Sequence, residues 1–177
     1  ESYTSVQSNP YADALALHAI RLVAKYLPTA VTNGADLEAR AQMQLASHLA
    51  GRSFSSGPLL GLVHATGHPI SGQLHQAHGQ TLATMLPHVM RFNRNVVAER
   101  YANVGQALGS ELDPDAAIAA VEKLSKTVGT NRKLSELGAT SDNIAALTQD
   151  ALRDLIILNT PRYPTRGEVH ELYATAL

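Results

Sequence analysis

Residues 61–93 read GLVHATGHPISGQLHQAHGQTLATMLPHVMRFN and hold five of the chain's eight histidines: His64, His68, His75, His78 and His88. Pro58 restarts the chain after a polar break, and Leu59–Thr66 reads as a short apolar helix. His64 and His68 are four residues apart, so they share one helix face if the helix persists that far. Pro69 disfavours helix at the residue before it, which predicts an end near Gly67 or His68. A loop from Pro69 to His78 follows. Gly79 then leads into TLATMLPHVMRFN, a second helix with Leu82, Met85, Leu86 and Val89 as its apolar stripe and a kink at Pro87. One helix ends, a loop turns, and another helix begins at His78. That turn can bring His64 and His78 to a common point. The partial positive charge of a helix N-terminus disfavours imidazolium there and keeps His78 available as a neutral ligand.

The periodicity outside this stretch is helical as well, so the expected fold is all-α, a single helical domain over residues 1–177. Asn9-Pro10 is an N-cap followed by proline at the first helical position, opening Tyr11–Tyr26, which Pro28 should stop. Leu15, Ala19, Leu22, Val23 and Tyr26 recur at helical spacing. Asp36 or Asn33 can cap Leu37–Arg52, and Ser53–Gly57 reads as a polar, flexible interruption. His18 and His48 fall inside these helices and read as core or edge histidines with a structural hydrogen bond. Beyond the histidine stretch, Asn95–Leu108 is amphipathic. Asp113-Pro114 opens Ala116–Val128, and Leu134–Gly138 is a short turn. Ser141 or Asp142 caps Ile144–Leu158, with Ala151, Leu152, Leu155 and Ile156 inward. Thr165-Arg-Gly-Glu168 is a capping box for the last helix. Asn159–Arg162 reads as a link between two helices. No stretch alternates strongly enough for a sheet.

Composition narrows the function. A net charge of −1 lacks the basic excess of a nucleic-acid or membrane-surface partner. No purely apolar run approaches the ~20 residues of a membrane span. The absence of cysteine excludes disulfides and thiolate metal sites and fits a reducing compartment, so the expected location is cytoplasmic. The chain begins with Glu1, and an initiator methionine is removed mainly before small residues. The expectation is therefore a piece of a longer protein.

His64-x3-His68 has the spacing of a helical zinc-protease motif, but that motif needs glutamate directly after its first histidine, and Ala65 stands there. Two imidazoles alone make a weak metal site, because catalytic metals usually take three or more protein ligands. The residues by themselves leave a metal or acid–base site and a polar loop of solvated histidines equally open.

A resemblance separates these readings. Gly61-Leu-Val-His64, His68-Pro69, His78-Gly79 and Leu86-Pro87-His88-Val89-Met90, leading to Phe92-Asn93, resemble the metal-binding signature of the iron-containing (group III) alcohol dehydrogenases. Asn9-Pro10 with Ala12–Ala16, Arg100–Ala102, Gly105–Gly109, Leu134–Gly138 and Asn159–Arg162 resemble other segments of the same helical C-terminal domain. The chain departs from the family at Ile70-Ser71-Gly72, where members often carry Leu-Gly. The resemblance implies His64 and His78 as metal ligands and His68 as the catalytic histidine near the reacting carbon. His75 and His88 are left as bystanders. It also implies an Asp and a His, four residues apart, just ahead of Glu1-Ser2-Tyr3, and an N-terminal nucleotide-binding domain before them. Neither lies in these residues, and no G-x-G-x-x-G loop occurs.

What the resemblance implies for the intact protein is hydride transfer between a small alcohol or aldehyde and NAD or NADP. A divalent metal, iron(II) or zinc, would assist, and the chain alone would be inactive. A homo-oligomer is possible if an apolar face is left uncovered. The alternative is a stand-alone, non-catalytic helical metal-binding or interaction module.

Overall fold

Helices form here where a side chain can take up the free amides of a first turn. Asn9 accepts from the Ala12 amide at 2.9 Å and opens α1 (Pro10–Thr32). Asp36 does the same for Ala39 and opens α2 (Leu37–Ser55). Asp113 takes two amides at the start of α6 (Pro114–Val128), and Thr165 with Glu168 forms the expected capping box of α8 (Arg166–Ala176). The cap of α7 (Ser141–Arg153) is Thr140, one residue earlier than expected. Three further helices, α3 (Leu62–Leu74), α4 (His78–Asn93) and α5 (Ala98–Ala107), have no side-chain bond from their own cap residue. Short 3₁₀ turns occupy Ser2–Thr4, Leu134–Leu137 and Leu155–Asn159. The computed structural model describes all 177 residues and contains no strand, as the periodicity predicts.

The proline rules fail at two positions. Pro28 lies inside α1, which runs on to Thr32, and the Thr32 hydroxyl donates to the Pro28 carbonyl at 2.9 Å. Pro69 lies inside α3, which continues to Leu74, so the expected ten-residue loop shrinks to His75–Ala77. A proline at 69 removes the amide that would reach the Ala65 carbonyl and opens that turn. One residue on, the buried Tyr173 hydroxyl donates to the Thr66 carbonyl at 2.7 Å and ties this turn to α8. His75 ends α3 in the left-handed region, at φ +52°.

Two other expectations are corrected. Ser53 is not part of a flexible break. It is buried at the end of α2, where its hydroxyl donates to the Ala12 carbonyl at 2.9 Å and bonds Ser2 at 2.6 Å. The helix read as Ile144–Leu158 breaks at Asp154, and Leu155, expected inward, is 78% exposed. His18 and His48 are exposed rather than core or edge residues.

The main core lies between α3, α4, α7 and α8, where Leu62, Ile70, Met85, Leu147, Val169 and Tyr173 are almost wholly buried. Burying each such side chain contributes about 1.5–3 kcal/mol. A second cluster, Met90, Tyr101, Ala117 and Ile118, joins α4 to α5 and α6. A third, Tyr3, Ala16 and Val104, ties the N-terminal turn to α1 and α5. Gly105 lets α5 and α6 meet, since a Cβ there would lie 2.8 Å from the Glu111 carbonyl oxygen. At 23 residues, α1 is long and apolar enough to cross a membrane by length and composition alone, contrary to the reading from apolar runs. In this fold α1 lies along α2 and against α5 and α6.

Candidate metal centre

The crossing of α3 over α4 builds the site. Gly67 sits at the crossing, where a Cβ would lie 2.6 Å from Leu82 Cδ2 and 3.3 Å from the Thr81 hydroxyl. A methyl group there would force the Leu82 side chain to move. His64 and His68 flank Gly67 on one face of α3, and His78 is the first residue of α4. The close approach therefore gathers three rings. Their centres are 5.3 Å apart for His64 and His78, 5.3 Å for His68 and His78, and 5.6 Å for His64 and His68. His68 stacks on His78 at 21°, while His64 and His68 meet edge to face. His78 begins a helix, as expected, and its pKa is held below the ordinary histidine value. Burial is the main cause, and the charges His64 and His68 would carry add to it.

Two carboxylates grip this cluster from outside, and neither was read as functional from the sequence. Glu1 places one oxygen on the Val63 amide, 2.6 Å away in the first turn of α3, and the other on His64 Nδ1. Burial pushes the Glu1 carboxyl upward. Its bond to His64 and the Val63 amide act the other way, and the carboxyl sits below the usual glutamate value. Asp154 places Oδ2 2.6 Å from His68 Nδ1, while its Oδ1 caps the turn Leu155–Asn159 through the Ile156 amide at 3.1 Å. A signal for Asp154 was present: an aspartate ahead of four consecutive apolar residues, Leu155-Ile-Ile-Leu158, fits a capped new turn better than a continued amphipathic helix.

Imidazoles bonding one ion at about 2.0–2.1 Å bring their ring centres to roughly 5 Å, so the His64–His78 spacing fits a shared ion. The rings gather, yet no three His, Asp or Glu donors converge on one point; Nδ1 of both His64 and His68 is turned to a carboxylate. The residues fit part of a ligand set. His75 stands outside the cluster as the exposed cap of α3, and His88 lies along α4 with only a 3.4 Å contact to the Thr175 hydroxyl.

The whole fold has close counterparts. The structure of a 1,3-propanediol oxidoreductase superimposes with a TM-score of 0.96 at 35% identity, covering 100% of this chain and 48% of that one. The alcohol dehydrogenase from Oenococcus oeni gives 0.95 at 33%, covering 100% and 48%. The fold and its histidine cluster thus define the helical domain of an alcohol dehydrogenase. Residues 1–177 match the model of the Fe-containing alcohol dehydrogenase family, C-terminal, and the chain belongs to that family. It is 43% identical over 177 residues to the probable alcohol dehydrogenase EutG of Salmonella typhimurium, covering 99% of this chain and 45% of that protein. It is 33% identical over 184 residues to the NAD-dependent methanol dehydrogenase of Bacillus methanolicus, covering 100% and 48%. The chain spans about half the length of the curated relatives it matches.

Proposed function

We propose that this chain is the metal-binding and proton-handling half of an NAD(P)-dependent alcohol dehydrogenase that interconverts a small alcohol and its aldehyde. The observation that carries this reading is the meeting of His64, His68 and His78, with ring centres 5.3–5.6 Å apart. In the proposal His64 and His78 are metal ligands. An iron(II) or zinc ion held by them supplies Lewis acidity to an alcohol oxygen. His64 offers Nε2, since its Nδ1 is occupied by Glu1. His78 offers a neutral ring, which its lowered pKa favours.

His68 is the proposed catalytic residue. Asp154 holds its Nδ1 at 2.6 Å, and its side chain is 42% exposed. The remaining ring nitrogen can take a proton from a substrate hydroxyl and pass it to water. The small-alcohol reading draws support from relatives named methanol dehydrogenase and 1,3-propanediol dehydrogenase.

Two imidazoles fall short of the three or more protein ligands usual in a catalytic site. The proposal therefore assigns the missing ligands, and the nicotinamide site, to polypeptide ahead of Glu1 that forms a nucleotide-binding domain. An apolar groove of about 540 Å³ supports this. It starts at Glu1 and Tyr3 and runs between α1, α4 and α6 past Leu27, Val89, Val121 and Val128. That is suitable seating for one more apolar helix face.

Substitution in the intact protein tests the assignment. His64→Ala and His78→Ala should each strip most of the bound metal. His68→Ala should keep the metal and slow turnover by about 10²–10⁴-fold. Equal metal loss in all three variants overturns the separate role of His68. Full metal content in the first two overturns the ligand assignment.

A further inference from the structure

We propose that Glu1 is a positioning residue: its buried carboxylate fixes His64 as the Nδ1–H tautomer and leaves Nε2 as the nitrogen that meets a ligand. The inference deepens the metal reading above by naming what orients the ligand. The side chain of Glu1 is only 13% exposed, and both its oxygens are committed. One accepts from the Val63 amide at 2.6 Å and the other from His64 Nδ1. A group bonded to two consecutive residues of one helical turn fixes the ring's rotation as well as its tautomer.

The backbone that carries Glu1 is itself anchored. Ser2 bonds Ser53 at 2.6 Å, and Ser5 donates to the Pro58 carbonyl at 2.6 Å. Arg100 donates to the Tyr3 carbonyl and stacks over the Tyr3 ring at 4.0 Å, while Asn103 donates to the Tyr3 hydroxyl at 3.1 Å. The space at residue 61 is also shaped for the carboxylate, since a Cβ on Gly61 would stand 3.3 Å from Glu1 Oε1. The same arrangement recurs at the neighbouring ring, where Asp154 both starts a helical turn and holds His68 Nδ1. Carboxylates that hold the far nitrogen of a metal-bound imidazole orient it and raise its basicity, and their loss typically costs 10–100-fold in metal affinity. The simpler account is that Glu1 only caps α3, which requires the Val63 bond and nothing at His64.

The two accounts differ in a property readable without metal. Neutral imidazole in water favours the Nε2–H form. Long-range ¹H–¹⁵N correlation spectra of the ¹⁵N-histidine-labelled, metal-free 177-residue chain at about pH 8, above the ordinary histidine range, report the tautomer of each ring. His64 should show Nδ1–H in the wild type and revert to mainly Nε2–H in Glu1→Ala. The exposed His18 and His48 should stay in the solution form throughout. Zinc titrations of the intact protein, which carries the remaining ligands, should weaken by about 10–100-fold in Glu1→Ala, with Glu1→Asp between the two. Wild-type His64 in the Nε2–H form overturns the proposal, and so does an Nδ1–H signal that survives in a folded Glu1→Ala. If that variant does not fold, the wild-type spectrum still decides. Failure of the intact wild-type protein to bind zinc alongside an Nδ1–H signal would count against the metal reading and leave the positioning role standing.

Discussion

His88 shows how one side chain couples stability to pH. It lies on α4 within the influence of the Arg91 and Glu122 charges, and its pKa is depressed. Burial is the largest cause, and the Arg91 charge adds to it; Glu122 opposes, but it is already paired with Arg91. The folded state therefore binds a proton less readily than the unfolded chain, whose histidine titrates near 6.5. Stability is fully present above about pH 6.5 and declines as pH falls from there through the folded pKa. His78, also depressed, acts with the same sign. Denaturant midpoints measured from about pH 8 down to 5 should fall, and His88→Gln should flatten that slope without abolishing it, because His78 remains. An unchanged slope in the variant would show that His88 is not the group responsible.

At the scale of elements the turn chemistry is legible and the proline chemistry is not. Asn9-Pro10, Asp36, Asp113-Pro114 and Thr165–Glu168 begin helices where local rules place them, because a cap is a bond between residues two or three apart. Pro28 and Pro69 were read as terminators, and both helices pass through them. The turn that holds Pro69 is tied down by Tyr173, 107 residues from the Thr66 carbonyl it bonds, and no local rule can see that bond. The same distance hid half of the site. His64, His68 and His78 stand close together in the sequence and could be named from it. Glu1 and Asp154 reach them only through tertiary packing, across 63 and 86 residues. The Tyr173 bond can be tested directly. Tyr173→Phe removes the hydroxyl and its bond to the carbonyl of the buried Thr66. It should cost about 1–3 kcal/mol by denaturant titration, with m unchanged. A loss under a few tenths of a kcal/mol would mean that the Tyr173 bond adds no net stability.

For the whole molecule the question is what 177 residues can do by themselves. They carry two imidazoles spaced for one ion, a third ring held by an aspartate, and an apolar groove beside Glu1. Hydride transfer also needs a nicotinamide held against the substrate carbon, and positioning of that kind accounts for roughly 7–11 kcal/mol of the barrier in well-oriented reactions. Nothing in the eight helices resembles the strand, glycine loop and helix start that seat a dinucleotide phosphate. The purified chain, loaded with iron(II) or zinc and given a small alcohol and NAD or NADP, should therefore produce no reduced nicotinamide above the rate without protein. Supplying the N-terminal half of a relative such as the Salmonella typhimurium protein in trans should raise that rate, because the groove and the unfilled ligand positions would then be covered together. Absorbance of the reduced cofactor reads both experiments. Robust turnover by the chain alone would overturn the assignment of the nicotinamide site and remaining ligands to another stretch of polypeptide.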